Sequence, residues 1–179
     1  MKALSPVEQR FILHWGEMGT KWGVNRTVAQ IHALLYLSPK PLTAEEIAKT
    51  LSVARSNVSN SLRELQSWHL IRTVHTMGDR RDHFETYKDV WELFKIVLAE
   101  RKRREVDPTR EVLRECIREL GKAKGSDGVA EQRLKELAAF IESTTSWFEE
   151  IQSFSPATLR RFVQMGSKVQ KLLGSGSGP

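Results

Sequence analysis

Apolar positions recur at helical spacing from the start of the chain. Phe11, Trp15 and Met18 form a stripe behind Ser5-Pro6-Val7-Glu8. There Ser5 can cap, Pro6 fits a first turn and Glu8 can close a capping box. A second stripe, Val28, Ile31, Leu34 and Leu35, predicts a helix over residues 24–37, which Ser38-Pro39-Lys40-Pro41 stops. Thr43-Ala44-Glu45-Glu46 is another capping box, and Ile47, Ala48 and Leu51 give the short helix behind it an apolar face. After a turn near Ser52 and Val53, the spacing predicts a helix from Ala54 to Ser67. Two helices joined by so short a turn form a helix-turn-helix.

The period changes after His69. Leu70–Thr76 alternates and is rich in β-branched residues, Met77–Asp82 reads as a charged turn, and His83–Tyr87 as a return strand. A helix-turn-helix followed at once by a hairpin is a winged helix. From Lys88 the pattern is helical again. Val90–Leu98 is apolar on almost every side and is expected to be buried, with Glu100–Glu105 as its solvated end. Asp107-Pro108 is expected to break this helix and restart another to about Gly121. Gly121–Gly128 reads as a flexible loop. Val129–Ser153 reads as a long amphipathic helix, and Ser155-Pro156 opens a last one to about Leu173. The expected fold is mainly α with a small β-hairpin wing. It divides into N-terminal helices (1–39), a winged helix-turn-helix (40–88), a C-terminal helical region (89–173) and a flexible tail (174–179).

The Ala54–Ser67 helix carries the most specific chemistry. On a helical wheel Val58, Leu62 and Leu65 share one face, while Ser56, Asn60, Arg63 and Ser67 lie opposite, flanked by Asn57 and Ser59. The outward face is small and hydrogen-bonding, with no carboxylate before Glu64. Ser and Asn are poor mid-helix choices for solvation alone. They suit a helix laid in the DNA major groove, where Asn can pair bidentately with adenine. The expected base readers are Ser56, Asn57 and Asn60, with Ser59 and Arg63 beside them. Arg55, at the helix start, is expected on a phosphate, as is Thr43. In the wing, Gly78-Asp79 suits a tight turn that places Arg80 and Arg81 at its tip. Arginine is favoured in narrow minor grooves, and Asp79 is placed to orient Arg81. The plain alternative for both elements is a solvated polar surface.

Bulk properties narrow the class. The chain has 179 residues, 40% of them hydrophobic, enough for one core with a helical appendage. A net charge of +6 permits a nucleic-acid partner. The charge is spread out: residues 1–39 carry 4 basic and 2 acidic side chains, 40–89 carry 8 and 7, and 90–179 carry 16 and 13. Position therefore matters more than total charge. No run of about 18 apolar residues is present, so no membrane span is expected, and the N-terminus lacks the apolar core of a signal peptide. One cysteine, Cys116, leaves no internal disulfide and points to a reducing cytoplasm. It is expected as a buried structural thiol. The five histidines show no metal-ligand spacing, although His75 and His83 are expected to face each other across the hairpin. No nucleophile elbow, phosphate-binding glycine loop or catalytic carboxylate pair is present. Neither an enzyme nor a cofactor is expected.

The stretches "WGEMGTKWGVNRTVAQIHALLYLSPKPLTAEEIAKTL", "SNVSNSLRELQSWHLI", "GDRRDHFE" and "DVWELFKIVLAERKRREVDPT" resemble the MarR superfamily of winged-helix transcription regulators, and within it the GbsR-type branch. The resemblance covers roughly residues 10–120. It implies an obligate homodimer joined through its terminal helices, with one winged helix per subunit on double-stranded DNA. Asp79 and Arg81 fall on the family's wing Asp-x-Arg motif. Ala54 stands where such proteins often have a capping Ser, a role Ser52 is expected to take. His69 stands where Gly is usual, at a position that needs a left-handed backbone. Trp15, Trp22 and Trp91 are a candidate effector pocket, because aromatic boxes bind quaternary ammonium groups and the branch is linked to glycine-betaine and choline metabolism. Core packing is the alternative reading for all three. The expected function is a cytoplasmic, homodimeric, sequence-specific DNA-binding regulator, a repressor on a pseudo-palindromic operator, with a small-molecule effector as a candidate. The alternative is a winged-helix scaffold that meets protein rather than DNA.

Overall fold

The structure is a computed structural model that describes residues 4–122 and 128–174, with 167–174 as backbone only. Residues 123–127 of the expected loop and 175–179 of the expected tail lie outside the described residues. The chain divides into two compact units, Met1–Ile96 and Val97–Pro179.

In the first unit, helix α1 (Pro6–Lys21) starts with the expected capping box, in which Glu8 N–H donates to Ser5 Oγ at 3.3 Å and Ser5 N–H donates to Glu8 Oε2 at 2.6 Å. Helix α2 (Arg26–Leu37) begins at Asn25, whose side chain accepts from Thr27 N–H at 2.8 Å. The two helices pack tightly at Gly19, where an added Cβ would lie 2.5 Å from Ala29 Cβ. Helix α2 runs through the core of this unit, with Ile31, Leu34 and Leu35 buried, and it packs on α1, on helices α3 (Ala44–Leu51) and α4 (Arg55–Ser67), and on the sheet. It therefore shares one core with the helix-turn-helix and the sheet. That core gathers Ile12 from α1, Ile47 from α3, Val58, Leu62 and Leu65 from α4, and Leu42, Ile71 and Phe84 from the sheet.

The sheet has three strands in the order β1-β3-β2: β1 (Leu42–Thr43), β2 (Ile71–Thr76) and β3 (Asp79–Thr86). β1 is too short to show alternation in the sequence. It pairs Leu42 with Phe84 and Thr43 with His83. The return strand starts at Asp79, four residues before the expected His83. Its polar first half lies beyond the core, so no apolar alternation marks it. The turn is only Met77 and Gly78, and Gly78 adopts φ +85°, which its missing Cβ allows. The hairpin register slips between Val74, opposite His83, and Thr76, opposite Asp79, so β3 bulges through Arg80–Asp82. The two histidines do not face each other. His83 pairs with Val74, and His75 Nδ1 lies 3.8 Å from Asp82 Oδ1.

Two backbone expectations divide. His69 is left-handed, with φ 55°. Ser52 is left-handed too (φ 54°) and closes α3 through its N–H to Ala48 O. A residue so used does not cap the next helix, and α4 starts at Ala54 with no side-chain cap bond.

Helix α5 (Val90–Arg101) crosses from the first unit into the second. It is not buried all round: Leu93 is buried, but Val90 is 57% and Phe94 44% exposed. An apolar helix needs cover on every side, and Val90 and Phe94 lack it. Asp107-Pro108 does not break the helical path. A π-helical turn, Lys102–Val106, leads straight into α6 (Asp107–Leu120), with Asp107 N–H donating to Lys102 O. The wider turn accommodates Pro108, which lacks an N–H and whose ring would crowd the preceding turn. Helix α6 pairs with α7 (Gly128–Ser153) through Glu142, which accepts from Arg110 at 2.8 Å and also from Arg114. Cys116 on α6 is half-buried rather than enclosed. Helix α8 (Pro156–Gly174) follows, capped where Thr158 N–H donates to Ser155 Oγ at 3.1 Å. No described helix is long and apolar enough to cross a membrane.

Candidate nucleic-acid interface

Helix α4 is held by burial of one side. Val58 is 0%, Leu65 2% and Leu62 3% exposed, and Ser61 joins them under the helix. That anchoring turns Ser56, Asn57, Asn60, Arg63 and Ser67 outward, all of them exposed, with Ser59 half-buried. Not all are equally free. Ser59 Oγ donates to Arg55 O at 3.1 Å, a back-bond within the helix. Asn60 Oδ1 accepts from Arg63, so its amide N–H groups are left to donate outward. Asn57 Nδ2 lies 3.4 Å from Thr27 Oγ1, which brings the start of α2 beside the outward face of α4. Nothing local in the sequence joins positions 30 residues apart, so reading it alone misses Thr27.

Arg55 opens α4, and its guanidinium is taken by Glu45 from the first turn of α3. Sequence reasoning missed this carboxylate too, because the pair forms only once α3 and α4 pack. Thr43 is the one expected contact that the geometry removes. It is 1% exposed, its hydroxyl accepts from Glu46 N–H at 3.2 Å and lies 3.1 Å from Glu46 Oε2, and β1 pairing seals it. A phosphate has no path to it. Its hydroxyl caps α3, and its backbone pairs with His83 in the sheet.

In the wing, Asp79 and Arg81 form a closed unit. Arg81 N–H donates to Asp79 Oδ1 at 3.0 Å, and the guanidinium donates to both carboxylate oxygens, at 2.9 and 3.1 Å from Nε and 2.5 Å from Nη2. These bonds hold the Asp79 carboxyl well below the usual carboxylate range and raise Arg81, so the pair stays ionised. Arg80 and Arg81 lie on the bulged part of β3, not in the turn, and both are exposed. Met77 stands at the tip, fully exposed. A cleft of about 350 Å³ lies between α3, α4 and β3, with Arg55, Arg63 and Arg81 on its walls alongside Glu45 and Asp82.

The three tryptophans are placed unequally. Trp15 and Trp22 meet edge to face at 6.4 Å between ring centres, and Phe11 stacks on Trp15 at 5.6 Å. Trp22 is 57% exposed. Trp91 is half-buried at the start of α5, its backbone N–H donating to Asp89 Oδ1 at 2.8 Å, and among the described residues it makes no ring contact with the other two. A larger, mainly apolar cavity of about 740 Å³, bounded by Leu4, Leu34, Leu37 and Leu42, has none of the three in its lining. Among the described residues no cluster of three or more His, Cys, Asp or Glu side chains could hold a metal ion.

A MarR family model matches residues 22–82, from the end of α1 to the bulge of the wing. The HTH-type transcriptional repressor OpcR of Bacillus subtilis (strain 168) is 20% identical over 140 residues, covering 78% of this chain and 76% of its own length. The putative HTH-type transcriptional regulator YvaV of the same organism is 24% identical over 91 residues, 51% of each chain. A crystal structure described as a transcriptional regulator superposes with a TM-score of 0.69 at 21% identity, covering 89% of this chain and 99% of its own. The fold is thus a mainly helical winged helix with a small three-stranded sheet, and its residues 22–82 match the MarR family model.

Proposed function

We propose that this protein is a transcription regulator of the MarR superfamily, of its GbsR-type branch, which binds double-stranded DNA in a sequence-specific way as a homodimer. The observation that carries the reading is the outward face of α4, where Ser56, Asn57, Asn60 and Arg63 are exposed and the wing arginines stand on the neighbouring strand. Ser56, Asn57 and Asn60 would read base edges in the major groove, with Arg63 and, more weakly, Ser59 beside them. Arg55, Arg80 and Arg81 would hold phosphates or the minor groove, with Asp79 fixing Arg81. The names of the two Bacillus relatives support a regulator, and one of them supports repression.

Homodimerisation is supported by the second unit, which leaves Val112, Phe140, Trp147 and Val163 each at least 50% exposed. Apolar surface on this scale asks for a partner. Two winged helices related by a two-fold axis would read a pseudo-palindrome with half-sites about one helical turn apart. A small-molecule effector at Trp15 and Trp22 fits the exposed ring of Trp22.

The deciding experiment is selection of duplexes from a random pool by the purified protein, followed by binding of the winners against salt. An enriched palindrome with a steep salt slope is the expected result. A folded dimer that enriches nothing, with binding absent or indifferent to salt, would overturn the reading in favour of a protein-binding scaffold.

A further inference from the structure

The cleft between α3, α4 and β3 contains a carboxylate that the fold does not need. The capping box of α3 is complete without Glu45: Thr43 Oγ1 accepts from Glu46 N–H at 3.2 Å, and Glu46 Oε2 accepts from Thr43 N–H at 2.8 Å. Glu45 instead reaches across to the next helix and takes the guanidinium of Arg55, ten residues on. The pair is open to solvent on both sides, with Arg55 55% and Glu45 49% exposed. Arg63 and Arg81 line the same cleft, one on the face of α4 and the other on the wing. A DNA strand that leaves a major groove filled by α4 and enters a minor groove met by the wing would cross this cleft, so a backbone phosphate there would pass Arg55, Arg63 and Arg81, with Asp82 as the other carboxylate in the lining.

We propose that Glu45 is an internal competitor for that phosphate. In the free protein its carboxylate holds Arg55, and on DNA a backbone phosphate takes its place, so Glu45 lowers affinity for duplex of every sequence. The inference rests on the DNA-binding reading above and names a regulating residue within it. Two facts make the exchange feasible. An exposed ion pair is weak and is released readily. Glu45 is also ionised at neutral pH: its own backbone N–H at the start of α3 first, opposed by burial and reinforced by Arg55, holds its carboxyl below the ordinary value. Unexchanged, it would face the phosphate as a like charge.

The test is a double-mutant cycle on duplex binding, with the wild type, E45Q, R55A and the double variant, each first checked for an unchanged thermal melt. Fluorescence anisotropy would follow a selected duplex and a scrambled one across a salt series. E45Q is expected to tighten both complexes by about 1.5- to fivefold, the size of one exposed charge pair. R55A is expected to weaken both and to flatten the salt slope by about one, and E45Q should then gain nothing in the R55A background. An equal gain with and without Arg55 would overturn the exchange and leave general repulsion. A loss on E45Q would overturn it the other way, making Glu45 a support that aims Arg55 at DNA. If the wild type binds and E45Q gains nothing, only the exchange fails. If wild type and E45Q alike bind no duplex at low salt, the DNA-binding reading fails and the exchange with it.

Discussion

His32 Nε2 lies 3.2 Å from Thr86 Oγ1, and that hydroxyl donates in turn to Leu70 O at 2.7 Å. With its hydrogen committed to Leu70, Thr86 has only lone pairs to offer, so His32 must donate through Nε2–H. Burial first, and the nearby Lys88 ammonium second, lower the His32 pKa to about 4 from 6.5. The unfolded chain thus binds more protons than the folded one between pH 6.5 and 4, and stability falls as pH falls through that window. His32 contributes in full above pH 6.5, and roughly 3 kcal/mol of that contribution is lost by pH 4. Urea unfolding of the wild type and of His32→Gln at steps across this window should show the wild-type decline flattened in the variant. Parallel curves would remove His32 as the titrating group.

Lys88 places its ammonium on the C-terminal end of α2, donating to Leu35 O at 2.7 Å, Tyr36 O at 3.0 Å and Ser38 O at 2.8 Å. All three ammonium hydrogens are used, at the end of a helix where a cation is favoured. Lys88→Met keeps the apolar stem and strands three carbonyls, which should cost roughly 1–3 kcal/mol in the unfolding midpoint. It should also let the His32 pKa rise, because the nearby positive charge is gone. An NMR titration of the His32 ring would read that shift, and an unmoved value would deny the coupling.

What the sequence made legible follows from distance along the chain. The face of Val58, Leu62 and Leu65 repeats within one helix, so its burial and the outward turn of Asn60 could be read directly. The capping boxes at Ser5 and Thr43 span four residues each and were equally readable. Thr43's burial was not, because it depends on pairing with His83 forty residues later. The bulge that carries Arg80 and Arg81, and the Glu45–Arg55 pair, belong to the same class: each is set by packing between elements. The left-handed Ser52 was missed for a different reason. Serine carries no marker for that conformation, whereas at His69 the resemblance supplied the missing glycine. The exposed side of α5 escaped because an apolar pattern states the need for cover and not its source.

Asn60 is expected to read one base. Its Oδ1 is held by Arg63 in the free protein, so bidentate pairing with adenine requires Arg63 to swing away. Asn60→Ala should weaken binding to the selected duplex by roughly 1–3 kcal/mol and relax the preference at a single position. Equal loss on selected and scrambled duplex would reassign Asn60 to the backbone.

Arg81 is pre-formed by Asp79, with four hydrogen bonds fixing it on the bulged strand. Arg81→Ala should weaken every duplex alike and flatten the salt slope by about one. Asp79→Asn should keep the charge of Arg81 but loosen its aim, giving a smaller loss with the slope kept. An unchanged slope in Arg81→Ala would take the wing off the phosphates.

Ala54 offers a place where stability and binding can be set against each other. It begins α4 in an extended conformation (φ −61°, ψ 139°), the geometry of a capping residue, yet it supplies no side-chain acceptor. Ala54→Ser provides one and should stabilise the protein by about 1 kcal/mol in urea unfolding. Ala54→Asp should stabilise it at least as well, because a carboxylate also meets the helix dipole. The two should part on DNA. Serine leaves the charge beside Arg55 unchanged and should bind as the wild type does or slightly tighter. Aspartate sets a second carboxylate next to Arg55, which Glu45 already holds, and should weaken all duplexes. If Ala54→Asp binds as well as Ala54→Ser, the start of α4 lies away from the phosphates and Arg55 loses its proposed contact.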